Sequence, residues 1–218
     1  MQKQSVIIGG AFGLIAGAIA IYWIGGDERK AAETAPPVAT HDTMGGGATT
    51  AMGVTRDLAT GSLTAFVVKK DRLDVPQAAF IDEKGEKVSI TAWRGRVVLL
   101  NLWATWCAPC KKEMPSLAKL QSELGSPDFE VVAVSLDRKG PEASAQFLAD
   151  NNAKALKLYV DPSAATLDTF QAIGLPATIL IDRQGREIGR LLGPAEWASP
   201  EAVALIKAAL AEGKKVGS

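Results

Sequence analysis

The chain has 218 residues, of which 47% are hydrophobic and 22% charged, so it is long enough for one domain with a packed core and appendages. Its 24 basic and 24 acidic residues give a formal net charge of zero, which argues against nucleic-acid binding, because that needs a basic surplus on one face. Two cysteines and one histidine cannot complete a structural zinc site, which takes four ligands. The two cysteines are therefore expected to act together or not at all.

Residues 1–26 are predicted to be an N-terminal membrane anchor. Residues 4–26 carry no charged side chain, and this apolar run reaches the roughly 20 residues that a helix needs to span a bilayer. The small–x–small sequence at 18–20 leaves a cleaved signal peptide as the alternative. The apolar run continues past that sequence to Ile24, which favours an uncleaved single span with the rest of the chain outside the cytoplasm.

Residues 27–55 are predicted to form a flexible linker. They contain Ala-Pro-Pro, three consecutive glycines and many threonines, a composition that cannot bury enough apolar surface to offset the entropy of ordering. His41, the only histidine, lies in this stretch and is interpreted as an incidental polar residue rather than a ligand. The folded domain is predicted at 56–218, with its core at about 75–211.

Strands and helices are predicted to alternate along the folded part, after a weak helical or irregular signal at 57–68. Apolar runs predict strands at 97–103 and 130–136, and a further short strand is predicted at 157–160. Turn-like clusters at 82–85 and 182–186 predict two hairpins, with strands at 78–81 and 86–89 and at 177–181 and 187–192. Helices are predicted from the cysteine motif to about residue 124 and at 141–151, 164–172 and 199–211. This order indicates an α/β fold in which helices flank one central mixed sheet.

Cys107 and Cys110 form a C-x-x-C motif where the buried strand 97–103 gives way to a helix. The first turn of a helix has unpaired amide groups and the positive end of the macrodipole, both of which stabilise a thiolate. Cys107 is therefore expected to have a lowered pKa and to be the nucleophile, with Cys110 resolving a mixed disulfide. Half of a metal site looks identical, but the missing second half and the strand–motif–helix context favour redox chemistry.

Two further residues are candidates for the same site. Glu113 falls on one helical stripe with Cys110 and the leucines at 117, 120 and 124. If that stripe is buried, desolvation raises the pKa of the carboxyl towards neutrality, which suits a group that exchanges protons with Cys110. The alternative is that Glu113 lies at the rim of the stripe and reaches solvent. Pro176 directly precedes the predicted strand 177–181, so it marks a strand start or a special turn.

The chain resembles the TlpA-like thiol–disulfide interchange proteins of the thioredoxin superfamily. The strings that carry this resemblance are Asn-Leu-Trp-Ala-Thr-Trp-Cys-Ala-Pro-Cys-Lys-Lys-Glu-Met-Pro at 101–115, Gly-Leu-Pro-Ala-Thr at 174–178 and Gly-Pro-Ala-Glu-Trp-Ala-Ser at 193–199. The resemblance covers about 75–211 and implies a thioredoxin-like fold with a helix–strand insertion at about 137–174. It also implies that Cys107 is the nucleophile, that Cys110 is the resolving thiol, and that Pro176 is a cis proline facing the disulfide.

The resemblance assigns roles to other side chains as well. A glutamate at the position of Glu113 implies tuning of the cysteine pKa values. Thioredoxins proper carry a buried aspartate where this chain has Asn101, and since an amide cannot exchange that proton, Glu113 is the remaining candidate. Trp106 and Leu175 are expected to contact the substrate. No metal or separate cofactor is expected, because the redox-active pair itself carries the electrons.

The function implied by the resemblance is a thiol–disulfide oxidoreductase on the periplasmic side of a bacterial inner membrane. Strongly oxidising members place a histidine just before the second cysteine, whereas Pro109 adds no cation there, and a less stabilised thiolate means a more reducing couple. A reductase is therefore predicted, recharged by a membrane electron donor of the DsbD or CcdA type. Its expected targets are oxidised copper-site cysteines of cytochrome oxidase or of its copper chaperone, with apocytochrome c as the alternative.

Two different functions remain open from the sequence. A copper-binding assembly module would need a histidine beside the two thiols, and the predicted folded part has none. A peroxidase of related fold does not normally have its resolving cysteine so close to the first one.

Overall fold

The structure, a computed structural model, describes residues 53–213. The strands are β1 (Val67–Val68), β2 (Ala79–Asp82), β3 (Lys87–Ser89), β4 (Val97–Trp103), β5 (Phe129–Ser135), β6 (Tyr159–Val160), β7 (Ala177–Ile181) and β8 (Glu187–Leu192). The α-helices are α1 (Ala108–Leu124), α2 (Pro141–Asp150), α3 (Ala165–Thr169) and α4 (Pro200–Ala211), and single 3₁₀ turns occupy Arg56–Leu58, Gly61–Leu63 and Ile90–Trp93. The predicted anchor lies outside the described residues. Within 53–213, no helix is both long and apolar enough to cross a bilayer.

One mixed sheet organises the described part, with the strand order β1-β8-β7-β4-β5-β6-β2-β3. β4 and β5 run parallel, from the pair Val97↔Phe129 to the pair Trp103↔Ser135, while β7 is antiparallel to β4. Every residue of β4 and β5 is buried. The continuous apolar runs in the sequence are thus explained by a sheet that is covered on both faces, and the predicted mixed α/β fold is confirmed.

Alternate residues of β4 point into two separate cores. Leu99 and Trp103 face the core under α1, α2 and α4, and Leu100 and Leu102 face the core under the third 3₁₀ turn and α3. The cysteine motif and α1 belong to the first of these cores. The end of β4 is consequently fixed on both sides at the point where it leads into the motif.

The predicted insertion is realised as α2, β6 and α3 between β5 and β7. The sequence overestimated α3, because Ala164 has a left-handed backbone (φ 57°) that does not belong in a helix. The buried Asp161 carboxylate accepts hydrogen bonds from the Thr166 N–H (2.8 Å) and from the Ser163 and Thr166 hydroxyls (both 2.5 Å). These bonds begin the short helix one residue later than predicted.

The folded domain begins before the predicted boundary at residue 56. Val54 is buried in the first core, and its N–H donates to Glu212 Oε1 just beyond α4 (2.6 Å). Arg72 also pairs with Glu212, so the lead-in is fixed to the end of the last helix. The weak signal at 57–68 becomes two 3₁₀ turns and the two-residue strand β1, which pairs with β8.

Candidate active site

The two cysteines are joined at the start of α1. Cys107 is the N-cap residue of the helix, and its Sγ lies 2.01 Å from Cys110 Sγ. The Cys110 N–H donates to Cys107 Sγ at 3.3 Å, which is the kind of amide contact that stabilises a thiolate at a helix start. Cys107 is 6% exposed and Cys110 is fully buried. The outer sulfur is therefore the one that an incoming partner reaches first.

Pro176 lies at the beginning of β7, and the Leu175–Pro176 peptide bond is cis. Since Ala177 pairs with Leu102, the proline lies beside the end of β4 that leads into the cysteine motif. Leu175 is half-buried and packs against both cores, and its contact with substrate stays a prediction. Ile173, which sequence reasoning missed, is 91% exposed in the same loop.

Trp106 projects from the loop directly before Cys107. Its side chain is 69% exposed, although a tryptophan carries a large apolar surface that is usually at least partly buried. This surface is open to solvent beside the disulfide, and the substrate contact of Trp106 stays a prediction.

Glu113 is buried, which excludes the alternative that it lies at a solvent-exposed rim. It is 2% exposed, and its Oε1 accepts a hydrogen bond from Asn101 Nδ2 (2.8 Å). Its Oε2 accepts from the Ala195 N–H (3.1 Å) and from Trp197 Nε1 (3.3 Å). Burial raises the pKa of the Glu113 carboxyl from 4.5 to about 7, although these three hydrogen bonds act in the opposite direction. A group with this pKa exchanges protons readily at neutral pH.

The string at 193–199 therefore contributes directly to the site. Ala195 and Trp197 hold Glu113 from the loop before α4, and the Trp197 N–H also bonds Ser116 Oγ (3.1 Å). A shallow pocket of about 300 Å³, which Glu113 lines together with Lys112, opens at this loop. The residues that line this pocket include Glu113 but neither cysteine.

A second buried carboxylate, missed in the sequence, fixes the loop before the cysteines. Asp137 follows β5 and accepts hydrogen bonds from the Thr105 N–H (3.0 Å), Thr105 Oγ1 (2.8 Å), Ser135 Oγ (2.8 Å) and Ser144 Oγ (3.0 Å). Burial acts to raise the pKa of the Asp137 carboxyl, but these hydrogen bonds outweigh it and hold the pKa below its usual value. Asp137 thus links β5, α2 and the cysteine loop.

Asp137→Asn is expected to lower the free energy of unfolding by about 1–3 kcal/mol at pH 7, since an amide nitrogen would face donors that now bond a carboxylate. A carboxyl whose pKa is depressed on folding contributes stability above its unfolded pKa and loses it as the pH falls through the folded value. The difference between wild type and variant should therefore shrink below about pH 4, where the ordinary value of 3.8 lies. Urea unfolding of both proteins at pH 7 and pH 3 measures it.

Asp150→Asn is the matched control, because Asp150 is an exposed aspartate of α2 whose side chain, among the described residues, bonds Gln146 alone. It should change stability by less than about 0.5 kcal/mol. Equal losses in the two variants would contradict the role assigned to Asp137.

No group of three or more histidine, cysteine, aspartate or glutamate side chains is arranged to hold a metal ion within residues 53–213. His41 lies outside that part of the chain.

Residues 69–206, more than half of the chain and all of the site just described, match the Redoxin family. The chain belongs to this family. The matched range also agrees with the extent of the resemblance drawn from the sequence.

Proteins similar to this Redoxin chain are thiol–disulfide oxidoreductases and interchange proteins. It is 28% identical over 132 residues to the thiol-disulfide oxidoreductase ResA of Bacillus thuringiensis subsp. konkukian, covering 59% of this chain and 75% of that protein. It is 31% identical over 126 residues to ResA of Geobacillus kaustophilus, covering 56% and 71%. The solved thiol:disulfide interchange protein DsbE from Chlorobium tepidum is 31% identical with a TM-score of 0.57, covering 65% and 99%. The predicted thioredoxin-like fold and the class of thiol–disulfide oxidoreductases are confirmed.

Proposed function

We propose that this Redoxin protein is a protein-disulfide reductase in which Cys107 attacks, Cys110 resolves and Glu113 manages the proton of Cys110. The observation that carries the proposal is the Cys107–Cys110 pair at the N-terminus of α1, in which Cys107 keeps 6% of its surface exposed and Cys110 none. No separate cofactor takes part, because the dithiol itself supplies both electrons.

The reaction begins with the reduced protein. The Cys107 thiolate attacks one sulfur of a substrate disulfide, so that the substrate S–S bond breaks, a mixed disulfide forms and one substrate thiolate leaves. Cys110 then gives up its proton and attacks Cys107 Sγ, which releases the second substrate thiolate and forms the Cys107–Cys110 disulfide. The protein loses two electrons and the substrate gains them. Glu113, one helical turn from Cys110 and with a pKa of about 7, is suited to accept that proton.

The direction of electron flow is proposed from Pro109, because the position just before Cys110 carries no positive charge. Equilibration with glutathione redox buffers, followed by thiol alkylation, measures the reduction potential of the pair. A reductase should have a potential nearer to the thioredoxin value of about −270 mV than to the value of about −120 mV found in strongly oxidising members. A value at the oxidising end would contradict the proposed direction.

We also propose that residues 1–26 anchor the protein in the bacterial inner membrane with the catalytic domain in the periplasm. The uncharged run at 4–26 supports this topology. The full-length chain should resist carbonate extraction from membranes, and added protease should digest its domain in spheroplasts. Release of the chain by carbonate, or protection of its domain, would contradict the anchor.

The proposed substrates are oxidised copper-site cysteines of cytochrome oxidase or of its copper chaperone, with apocytochrome c as the alternative. The string at 193–199 supports the oxidase branch, since it is typical of TlpA-like proteins and two of its residues hold Glu113. A donor of the DsbD or CcdA type would return the disulfide to the dithiol. Rates measured with oxidised copper chaperone and with disulfide-bonded apocytochrome c, under equal conditions, would separate the two branches.

A further inference from the structure

A surface pocket of about 480 Å³ lies on the side of the cysteine motif where Trp106 projects. The side chains of Trp106, Ala164 and Leu167 supply apolar surface to it, and Arg138 and Lys139 supply two positive charges. Trp106 is the residue next to Cys107, so a chain that occupies the pocket also lies next to the outer sulfur.

The two cations of this pocket have no acidic partner among the described residues. Arg138 and Lys139 are both exposed, and neither forms an ion pair or a side-chain hydrogen bond within 53–213. The acidic residue of the pocket, Asp137, is buried and directs its oxygens towards Thr105, Ser135 and Ser144. The positive charge at the mouth of the pocket is therefore available to an incoming group.

The loop that carries these cations is also held in place. Asp137 precedes them and is bonded to the cysteine loop through Thr105, and α2 begins at Pro141 directly afterwards. A binding surface whose backbone is already ordered loses less entropy on association. The pocket is thus preformed next to the site where the disulfide of a partner must lie.

We propose that this pocket docks an acidic segment of the substrate protein beside its target cysteine, with Arg138 and Lys139 binding the carboxylates and Trp106 and Leu167 contacting the apolar parts. The inference rests on the proposed reductase function, because it names the substrate class of the same site. Paired opposite charges at the rim of an interface chiefly accelerate association. Acid-flanked disulfides should therefore react faster rather than more completely.

Two synthetic peptides test this inference. Each carries one cysteine in a mixed disulfide with thionitrobenzoate, and the peptides differ only in having Asp-Asp or Lys-Lys beside the cysteine. The reduced full-length chain in neutral detergent attacks the peptide sulfur, and the released coloured thiolate reports the rate. We expect the acidic peptide to react about tenfold faster at low ionic strength, and the ratio to fall towards one at high salt.

The double variant Arg138→Glu, Lys139→Glu should lose this preference or reverse it. The matched control is Lys84→Glu, Lys87→Glu, which makes the same change in net charge on exposed lysines of the β2–β3 hairpin; it should keep the preference. Equal rates for the two peptides with wild type, or a preference kept by the pocket variant, would overturn the docking site.

Hydroxyethyl disulfide, which is small and uncharged, tests the proposed reductase function separately from the proposed docking site. Wild type and the Lys84→Glu, Lys87→Glu control should reduce it at the same rate, and neither needs the pocket to do so. If wild type does not reduce it, the reductase function fails and the docking inference fails with it. If wild type reduces it but does not discriminate between the peptides, the docking site alone is wrong.

Discussion

Cys107→Ser is expected to lower the rate of disulfide reduction by on the order of 10³-fold or more, because a serine hydroxyl is not ionised at neutral pH and cannot form the mixed disulfide. Cys110→Ser should give a different result. It keeps Cys107, the more exposed cysteine of the pair, and lacks the sulfur that would release the substrate. The variant should accumulate as a covalent adduct on Cys107.

The adduct also identifies the substrate. Affinity-tagged Cys110→Ser, recovered from cells after acid quenching of thiols, should release its partner on reduction, and mass spectrometry would identify it. The double variant Cys107→Ser, Cys110→Ser is the control and should yield no adduct. Adducts on Cys110 in the Cys107→Ser protein, with none on Cys107 in its counterpart, would reverse the assigned roles.

Glu113→Gln is expected to slow the resolving step by about 10²-fold, the usual effect of losing a positioned proton acceptor. In wild type the rate should rise as the pH passes through about 7, where the Glu113 carboxyl ionises. In the variant this part of the pH profile should be missing. Stopped-flow measurement of mixed-disulfide decay between pH 5 and pH 9 would show the difference, and an unchanged profile would contradict the role of Glu113.

The ionisation of Glu113 that raises the rate is expected to lower the stability of the folded protein as the pH rises. The Glu113 carboxyl ionises near 4.5 when unfolded and near 7 when folded, so between these values the folded protein holds a proton that the unfolded chain has released. The free energy of unfolding of wild type should therefore fall by up to about 3 kcal/mol across this window, relative to the glutamine variant.

Oxidised protein is suited to that measurement, because the disulfide-bonded cysteines do not titrate. Urea unfolding at pH 4.5 and at pH 8 gives the change in stability for each protein. Glu123→Gln is the matched control, since Glu123 lies exposed on the same helix beside Lys119; it should follow wild type. A wild-type stability that does not decline relative to Glu113→Gln would show that burial does not raise the pKa of this carboxyl.

The central strand, the motif helix and the β7–β8 hairpin were predictable because their signals are local. A seven-residue run in which Asn101 is the one polar residue is enough to indicate β4, and the cysteine motif four residues beyond its end indicates the helix start. Strand β1 was not predictable, since two residues show no periodicity. Its partner strand β8 also lies more than 100 residues further along the sequence.

The environment of the two buried carboxyls also depends on distant residues. Spacing placed Glu113 on the buried stripe but could not exclude the rim, because its hydrogen-bond donors Ala195 and Trp197 lie more than 80 residues away. Asp137 gave no signal, since an aspartate after a strand is ordinarily part of an exposed turn. Its burial depends on Thr105, 32 positions earlier.

The Asp137 hydrogen bonds restrict how far this domain could be reduced in size. Removing the segment between β5 and β7 to obtain a minimal oxidoreductase would also remove the acceptor of the Thr105 amide, two residues before Cys107. That donor would then need water or a new acceptor. A shortened design would have to include another hydrogen-bond acceptor for the Thr105 amide, so that the loop still holds Cys107 in its present position.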